Sequence, residues 1–204
     1  MNIPDHLVTK WMFFLRENPK YLNRFTECFW PSQMKSKAVV LDYLEKLKVV
    51  NERIYIFGGW YGVLAALIQE RMRCTTIYNV DIDSETDFVF KRFIKNANIR
   101  HHIKDMAEYE YPFPPDIVIN TSTEHVSQEV YDAWWEKIPS GTKYIIQGNN
   151  FFDLAEHVRC SNSLGEFLEM NRVMDSCSFT ASTDCGPLPD GEIFYRYTAA
   201  GVKL

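Results

Sequence analysis

The stretch RIYIFGGWYGVLAALI, residues 53–68, constrains the fold more than any other part of the chain. A continuous apolar, β-branched run leads into three glycines within five positions, and an Ala/Leu-rich run follows at once. A run apolar on every residue is a strand buried on both faces, and an Ala/Leu-rich segment behind a glycine turn is a buried helix. Gly58, Gly59 and Gly62 permit unusual φ/ψ and let a ligand approach the main chain. They also start a helix whose free N–H groups face that ligand. The bland alternative is a tight strand-to-helix turn with no ligand.

The same alternation continues. TTIYNVDID reads as a strand and SETDFVFKRFIKNA as a helix, and RHHIKDM as a short strand. DIVINTS is a strand, SQEVYDAWWEKI a helix, PSGT a turn and KYIIQGN a strand. Strands alternating with helices predict a parallel sheet covered on both faces. GEFLEMNRVM reads as a helix. CSFTASTD and EIFYRYTAAGVK, joined by the Pro/Gly-rich CGPLPDG, read as an antiparallel pair closing the sheet. Ahead of this unit, residues 5–17 place Leu7, Trp11, Phe14 and Leu15 at helical spacing behind Asp5 as a cap, and Asn18-Pro19 ends that helix. An aromatic connector, YLNRFTECFWP, leads to a second helix capped by Ser32 and running to about Lys48. The division expected is a helical cap or lid over residues 1–50 and an α/β unit over 51–204, together one compact domain.

At 204 residues, 46% hydrophobic and 15% aromatic, the chain can fill one such core. A net charge of −5 without a long Lys/Arg cluster disfavours a large nucleic-acid footprint, although a short or flipped-out RNA is compatible with a local patch. Five scattered cysteines, none in a CxxC pair, suit reduced thiols in a cytoplasm and give no zinc signature, so no metal is expected. No signal peptide or membrane-spanning run is expected either.

Two strand ends offer chemistry. YNVDID places Asp81, with Ile82 beside it, about twenty residues beyond the glycines, where a carboxylate suits a ribose diol. Asp83 or Ser84 then caps the following helix. GGWYG is neither the dinucleotide GxGxxG nor a P-loop, which argues against a nicotinamide-dependent oxidoreductase and against phosphate cradling.

Taken in order, IYIFGGWYG, YNVDID, KDMAE, PDIVINTSTEHV and IPSGTKYIIQGN resemble the class I S-adenosylmethionine (SAM)-dependent methyltransferases. The resemblance covers residues 50–150 well and the C-terminal hairpin loosely. It implies a Rossmann-like, seven-stranded, mostly parallel sheet with helices on both faces and an antiparallel last strand. It implies SAM lying across Gly58, Gly59, Trp60 and Gly62, its ribose on Asp81, its adenine near Asp105 and Met106, and Asn120 and Thr121 beside the sulfonium. Trp60 stands where that family usually carries the middle glycine of GxGxG, a departure that reshapes the methionine end of the pocket.

After DIVIN the chain has Asn120-Thr121-Ser122-Thr123, with neither the Pro-Pro motif of nucleic-acid N-methylases nor a Pro-Cys nucleophile. Glu124 and His125 follow, in an EHV that is common at this place in small-molecule methyltransferases. A neutral His125 suits a general base, with Glu124 orienting it; both residues could equally cap and pack the helix start. Gln147, Asn149 and Asn150 are candidates for hydrogen-bonding substrate, and ordinary turn formers otherwise. His157 reads as a helix-surface histidine. The function implied is methyl transfer to a small molecule or small polar group. Transfer of the aminocarboxypropyl arm and a catalytically idle SAM- or nucleotide-binding partner subunit are the competing readings.

Overall fold

The computed structural model describes residues 2–72, 76–94, 96–188 and 190–204. Among these residues a seven-stranded sheet forms from β1 (Arg53–Phe57), β2 (Thr76–Asp81), β3 (Ile99–Ile103), β4 (Ile117–Asn120), β5 (Lys143–Asn149), β6 (Cys177–Pro187) and β7 (Ile193–Val202). The order is β3-β2-β1-β4-β5-β7-β6. β1 lies parallel to both β2 and β4, and β4 parallel to β5. β7 inserts antiparallel between β5 and β6. Strand order reverses between β1 and β4, whose last residues Phe57 and Asn120 are direct partners, so the crevice opens at Gly58.

Period-2 geometry explains the continuous apolar run of β1. Ile54 and Ile56 enter one core layer with Leu64, Ile68, Ile77 and Phe90, while Tyr55 and Phe57 enter the other with Tyr78, Val118 and Trp134. Tyr55 and Tyr78 stack at 4.4 Å and 5° across the β1–β2 pair. The covering helices are α4 (Val63–Arg71), α5 (Glu85–Phe93), α6 (Gln128–Lys137) and α7 (Leu164–Met170). The antiparallel β6–β7 pair forms as the sequence predicts.

The N-terminal segment is not separate from this core. α1 (Asp5–Glu17), α2 (Leu22–Glu27) and α3 (Pro31–Lys46) bury Leu7, Trp11, Phe14, Phe25, Val40 and Leu44 in the same layer as Ile54 and Ile56. Phe14 and Phe25 meet Phe93 of α5 at 4.4 and 4.7 Å.

Local expectations shift in four places. Asp5 lies inside the first turn of α1 behind Pro4 and makes no cap. Pro31 opens α3 in place of a Ser32 cap, since its fixed φ suits the first helical position. The aromatic connector contains α2 and a short 3-10 turn, Pro19–Tyr21. The segment around His157 is an irregular loop rather than a helix. Arg73, the end of the expected helix, Cys74, and Thr75, the start of the expected strand, lie outside the described residues, as do Lys95 of the next expected helix and Pro189. Among the described residues no helix is long and apolar enough to cross a membrane.

Candidate functional site

The glycine turn is held open from behind. Gly58 and Gly62 take left-handed φ of 62° and 76°, and Trp60 takes 46°, a conformation in which a bulky residue is an outlier. Trp60 stays there because its N–H donates to Asp81 Oδ2 at 2.7 Å and its carbonyl accepts from Asn79 Nδ2 at 3.2 Å. Its ring stacks on Tyr61 at 4.8 Å. A Cβ on Gly59 would lie 2.0 Å from Asn79 Oδ1, and one on Gly58 would lie 2.9 Å from Ser122 Cβ. A Cβ on Gly62 would lie 2.6 Å from Phe90 Cε2, so all three glycines are required by packing whether or not a ligand binds. Gly59→Ala is expected to displace Asn79 and cost about 1–3 kcal/mol; a chemical-denaturation midpoint equal to wild type would contradict this.

Behind Asn79 sits a buried network absent from the sequence reading. Thr86 Oγ1 donates to Asp83 O at 2.6 Å and lies 2.9 Å from His101 Nε2, while His101 Nδ1 lies 3.0 Å from Asn79 Nδ2 and 3.1 Å from the Asn79 carbonyl oxygen. Burial, partly opposed by the Asn79 carbonyl, lowers the His101 pKa to about 4, so the ring is neutral near pH 7. Phe90 stacks on it at 4.4 Å.

Asp81 stands at the carboxyl end of β2, as expected. Its Oδ2 holds Trp60 N and its Oδ1 holds Asp83 N at 3.0 Å, which leaves lone pairs for a further donor. Burial raises its pKa, and the two backbone N–H groups counter that. Asp83, not Ser84, caps α5: its Oδ1 accepts from Glu85 N at 2.9 Å. Ile82 presents an apolar side chain that is 69% exposed beside Asp81. Asp105 Oδ1 accepts from Ala107 N in its own turn. Met106 lies against Asn120, whose Nδ2 is 3.7 Å from the Met106 sulfur. Arg24 of α2 reaches across this rim to Asp83 Oδ2 at 2.6 Å and Glu85 Oε2 at 2.7 Å, with its guanidinium 5.8 Å from the Trp60 ring centre.

At the end of β4, residues Thr123–His125 form a single 3-10 turn, and Ser127 caps α6. Glu124 does not face the crevice. Its side chain is 1% exposed, and Oε1 accepts from Asn149 Nδ2 at 2.7 Å and pairs with Arg196 of β7 at 3.4 Å. Arg196, 5% exposed, also donates to Thr121 O at 3.4 Å. The pair satisfies two charges that neither residue could carry alone in the interior. Glu124 Oε2 has no protein partner. His125 is 42% exposed, with Nε2 4.0 Å from Glu124 Oε1. Burial first, then His157 and Arg196, lower its pKa, and Glu124 opposes them. His125 is therefore largely neutral near pH 7.

The amide cluster serves the scaffold. Gln147 is wholly buried; its Oε1 accepts from Ser36 Oγ at 2.6 Å and its Nε2 donates to Ser36 O and Thr198 Oγ1, so it bolts α3 to the sheet and cannot reach a substrate. Asn149 is buried between Glu124, Phe151 N and Cys160. Asn150 donates to Ile193 O and accepts from Tyr195 N, pinning β7 at the edge of an open trough of about 670 Å³ lined also by Ser163, Ser182 and Tyr197. The substrate-binding expectation for Gln147 and Asn149 is replaced by structural roles, since both are buried and their polar atoms are spent inside the protein; Asn150 braces β7 from a position on the trough's edge. Arg24, Asn79, His101 and Arg196 were missed. Of these, only Arg196, a cation in an otherwise apolar strand, carried a local signal.

A reversed last strand, a glycine turn at the switch point and an acidic residue ending the neighbouring strand define the fold of the class I SAM-dependent methyltransferases. No family model matches the chain, nor does any curated protein. Solved structures do. The SAM-dependent methyltransferase SibL is 16% identical at a TM-score of 0.62, over 84% of this chain and 55% of that one. The N-methyltransferase NodS from Bradyrhizobium japonicum WM9 is 9% identical at 0.60, over 80% of this chain and 93% of that one. A probable spermidine synthase from Corynebacterium glutamicum is 16% identical at 0.59, over 84% and 63%. This chain thus spans little more than half the length of SibL and nearly all of NodS. At such identities the likeness is one of fold.

Proposed function

We propose that the chain is a SAM-dependent methyltransferase acting on a small molecule or a small polar group. The observation that carries this reading is the half-exposed, neutral His125 beside the end of β4, backed by the buried Glu124–Arg196 pair. The residues present fit the cofactor. Asp81 keeps acceptor sites open for a diol, Ile82 offers an apolar face for adenine, and left-handed Gly58 and Gly62 bare the main chain between them. Met106, Asp105 and Thr121 complete the cofactor rim in this proposal, and Asn120, buried with its Oδ1 accepting from Ser122 N at 3.0 Å, supports that rim from behind instead of lining it. SAM, when bound, supplies an electrophilic methyl group.

The protein then has to align a nucleophile and take its proton. His125 accepts that proton on a ring nitrogen. Glu124, fixed by Asn149 and Arg196, keeps a negative charge close enough to stabilise the imidazolium that results. Helices α1–α3 form the lid, tied to the cofactor rim by Arg24. A reducing cytoplasm is the setting we propose, in keeping with four unpaired cysteines among the described residues. A small-molecule acceptor is favoured over nucleic acid, RNA included, by the acidic net charge.

The likeness to a probable spermidine synthase and the Trp60 departure favour one second reading, transfer of the aminocarboxypropyl arm. Turnover against fractionated cell extract, read by mass spectrometry, separates the readings. S-adenosylhomocysteine marks methyl transfer and methylthioadenosine the rival. Tight SAM binding without either product would indicate a non-catalytic partner subunit. Asp81→Ala is expected to weaken SAM binding by about 1–3 kcal/mol through unpaired hydroxyls. Because Asp81 also holds Trp60 N and Asp83 N, the variant's fold is checked by circular dichroism alongside the calorimetry. Calorimetry giving the wild-type affinity for Asp81→Ala would remove the ribose assignment.

A further inference from the structure

A second cluster of chemistry lies against Glu124, and it draws in a residue that methyl transfer does not use. His157 comes from the loop after β5, 32 positions beyond His125, yet the two rings meet edge to face at 4.7 Å. The loop is stapled there: Val158 N and Arg159 N both donate to Glu124 O, at 2.9 and 3.1 Å. One ligand-capable atom from each of Glu124, His125 and His157 lies within 4.8 Å of the others.

We propose that Glu124, His125 and His157 form a binding site for a divalent transition-metal ion of the zinc class. The donor set is two imidazoles and a carboxylate, which suits such ions.

Two features prepare it. His157 Nδ1 is 2.6 Å from Phe151 O, and a carbonyl can only accept, so Nδ1 carries the proton and Nε2 is left with its lone pair. A histidine ligand fixed by a backbone carbonyl on its other nitrogen is the usual outer support of a metal site. Glu124 is nine-tenths buried and more, with Oε1 committed to Asn149 and Arg196 while Oε2 is buried without a partner. A buried, unpartnered carboxylate oxygen is costly unless something occupies it.

Ligand atoms around such an ion sit about 3.3 Å apart, given bonds of about 2.0–2.1 Å. The cluster must therefore contract by up to about 1.5 Å, which the half-exposed His125 can supply by side-chain rotation. Solvent on its exposed side leaves room for water as a fourth ligand. Arg196 shares the carboxylate and holds the affinity to a moderate level. The ion takes the His125 lone pair, so ion occupancy and base function exclude each other. Only that last consequence rests on the methyl-transfer reading; the site itself does not.

The test uses the full chain, freed of metal with a chelator that is then removed. Zinc is titrated in competition with a chromophoric chelator, and cobalt(II) is added separately for its visible spectrum. One zinc per chain is expected, with a ligand-field cobalt spectrum lacking thiolate charge-transfer bands. His157→Ala, checked by circular dichroism, should weaken binding at least about ten-fold. Should His157→Ala misfold, His125→Ala, at the exposed ligand, is read the same way. No binding at about 0.1 mM zinc, thiolate bands in the cobalt spectrum, or unchanged affinity in the folded variant would each overturn the site.

Discussion

Replacing Glu124 by Gln is expected to lower the melting temperature by roughly 6–20 °C. The estimate follows from leaving Arg196 charged and unmatched in the interior, which costs about 3–5 kcal/mol, at about 2–4 °C per kcal/mol for a chain of this size. Gln keeps the shape and still accepts from Asn149 Nδ2, so packing is little changed and the effect reports the charge. Arg196 is 5% exposed and its other contacts are a 3.4 Å bond to Thr121 O and a buried Nε without a partner; neither neutralises it. The double variant Glu124→Gln/Arg196→Met should regain most of the loss, because the two residues act as one unit. A single-variant melting curve within about 2 °C of wild type would show that solvent reaches the pair, and Glu124 would lose its role in setting the site.

His125→Ala is expected to cut turnover about 10²–10⁴-fold with cofactor affinity preserved. The same assignment fixes the pH profile of the wild type. Burial lowers the His125 pKa, and the neutral ring is the active form. Hence kcat/KM rises with pH through a midpoint below the ordinary 6.5, is level at neutral pH, and falls as acid protonates the ring. The alanine variant keeps none of this acid limb. Full activity in His125→Ala would rule the base out. A limb that persists in the variant would assign it to another group.

Both experiments probe an arrangement that was only half legible in the sequence. Glu124 and His125 stood out as adjacent polar residues after an apolar strand, which is enough to place them at the carboxyl end of β4. Their division of labour was not legible, because which of two neighbours turns inward depends on Arg196, which approaches from a strand 72 positions away at Glu124. Sequence also suggested amides at the end of β5 as substrate contacts. Burial reassigns two of them, Gln147 and Asn149: Gln147 sits under α3, and packing of that helix could not be read from local pattern.

What the chain determined by itself is the frame. Apolar runs, glycine punctuation and turn chemistry are local signals, and they suffice for seven strands, their parallel majority, the reversed hairpin, the glycine turn and the Asp81 that ends β2. These follow from periodicity and φ/ψ preference, which act over a few residues. Only tertiary structure decided which polar atoms remain free. It spent Gln147, Asn149 and Asn150 on the scaffold and braced Trp60 through Asn79 and His101. It also carried His157, on a loop with no periodicity of its own, to within 4.7 Å of His125. The physical reason is that hydrogen-bond satisfaction and charge pairing in the interior are properties of side chains distant in sequence, and they are settled when the core closes.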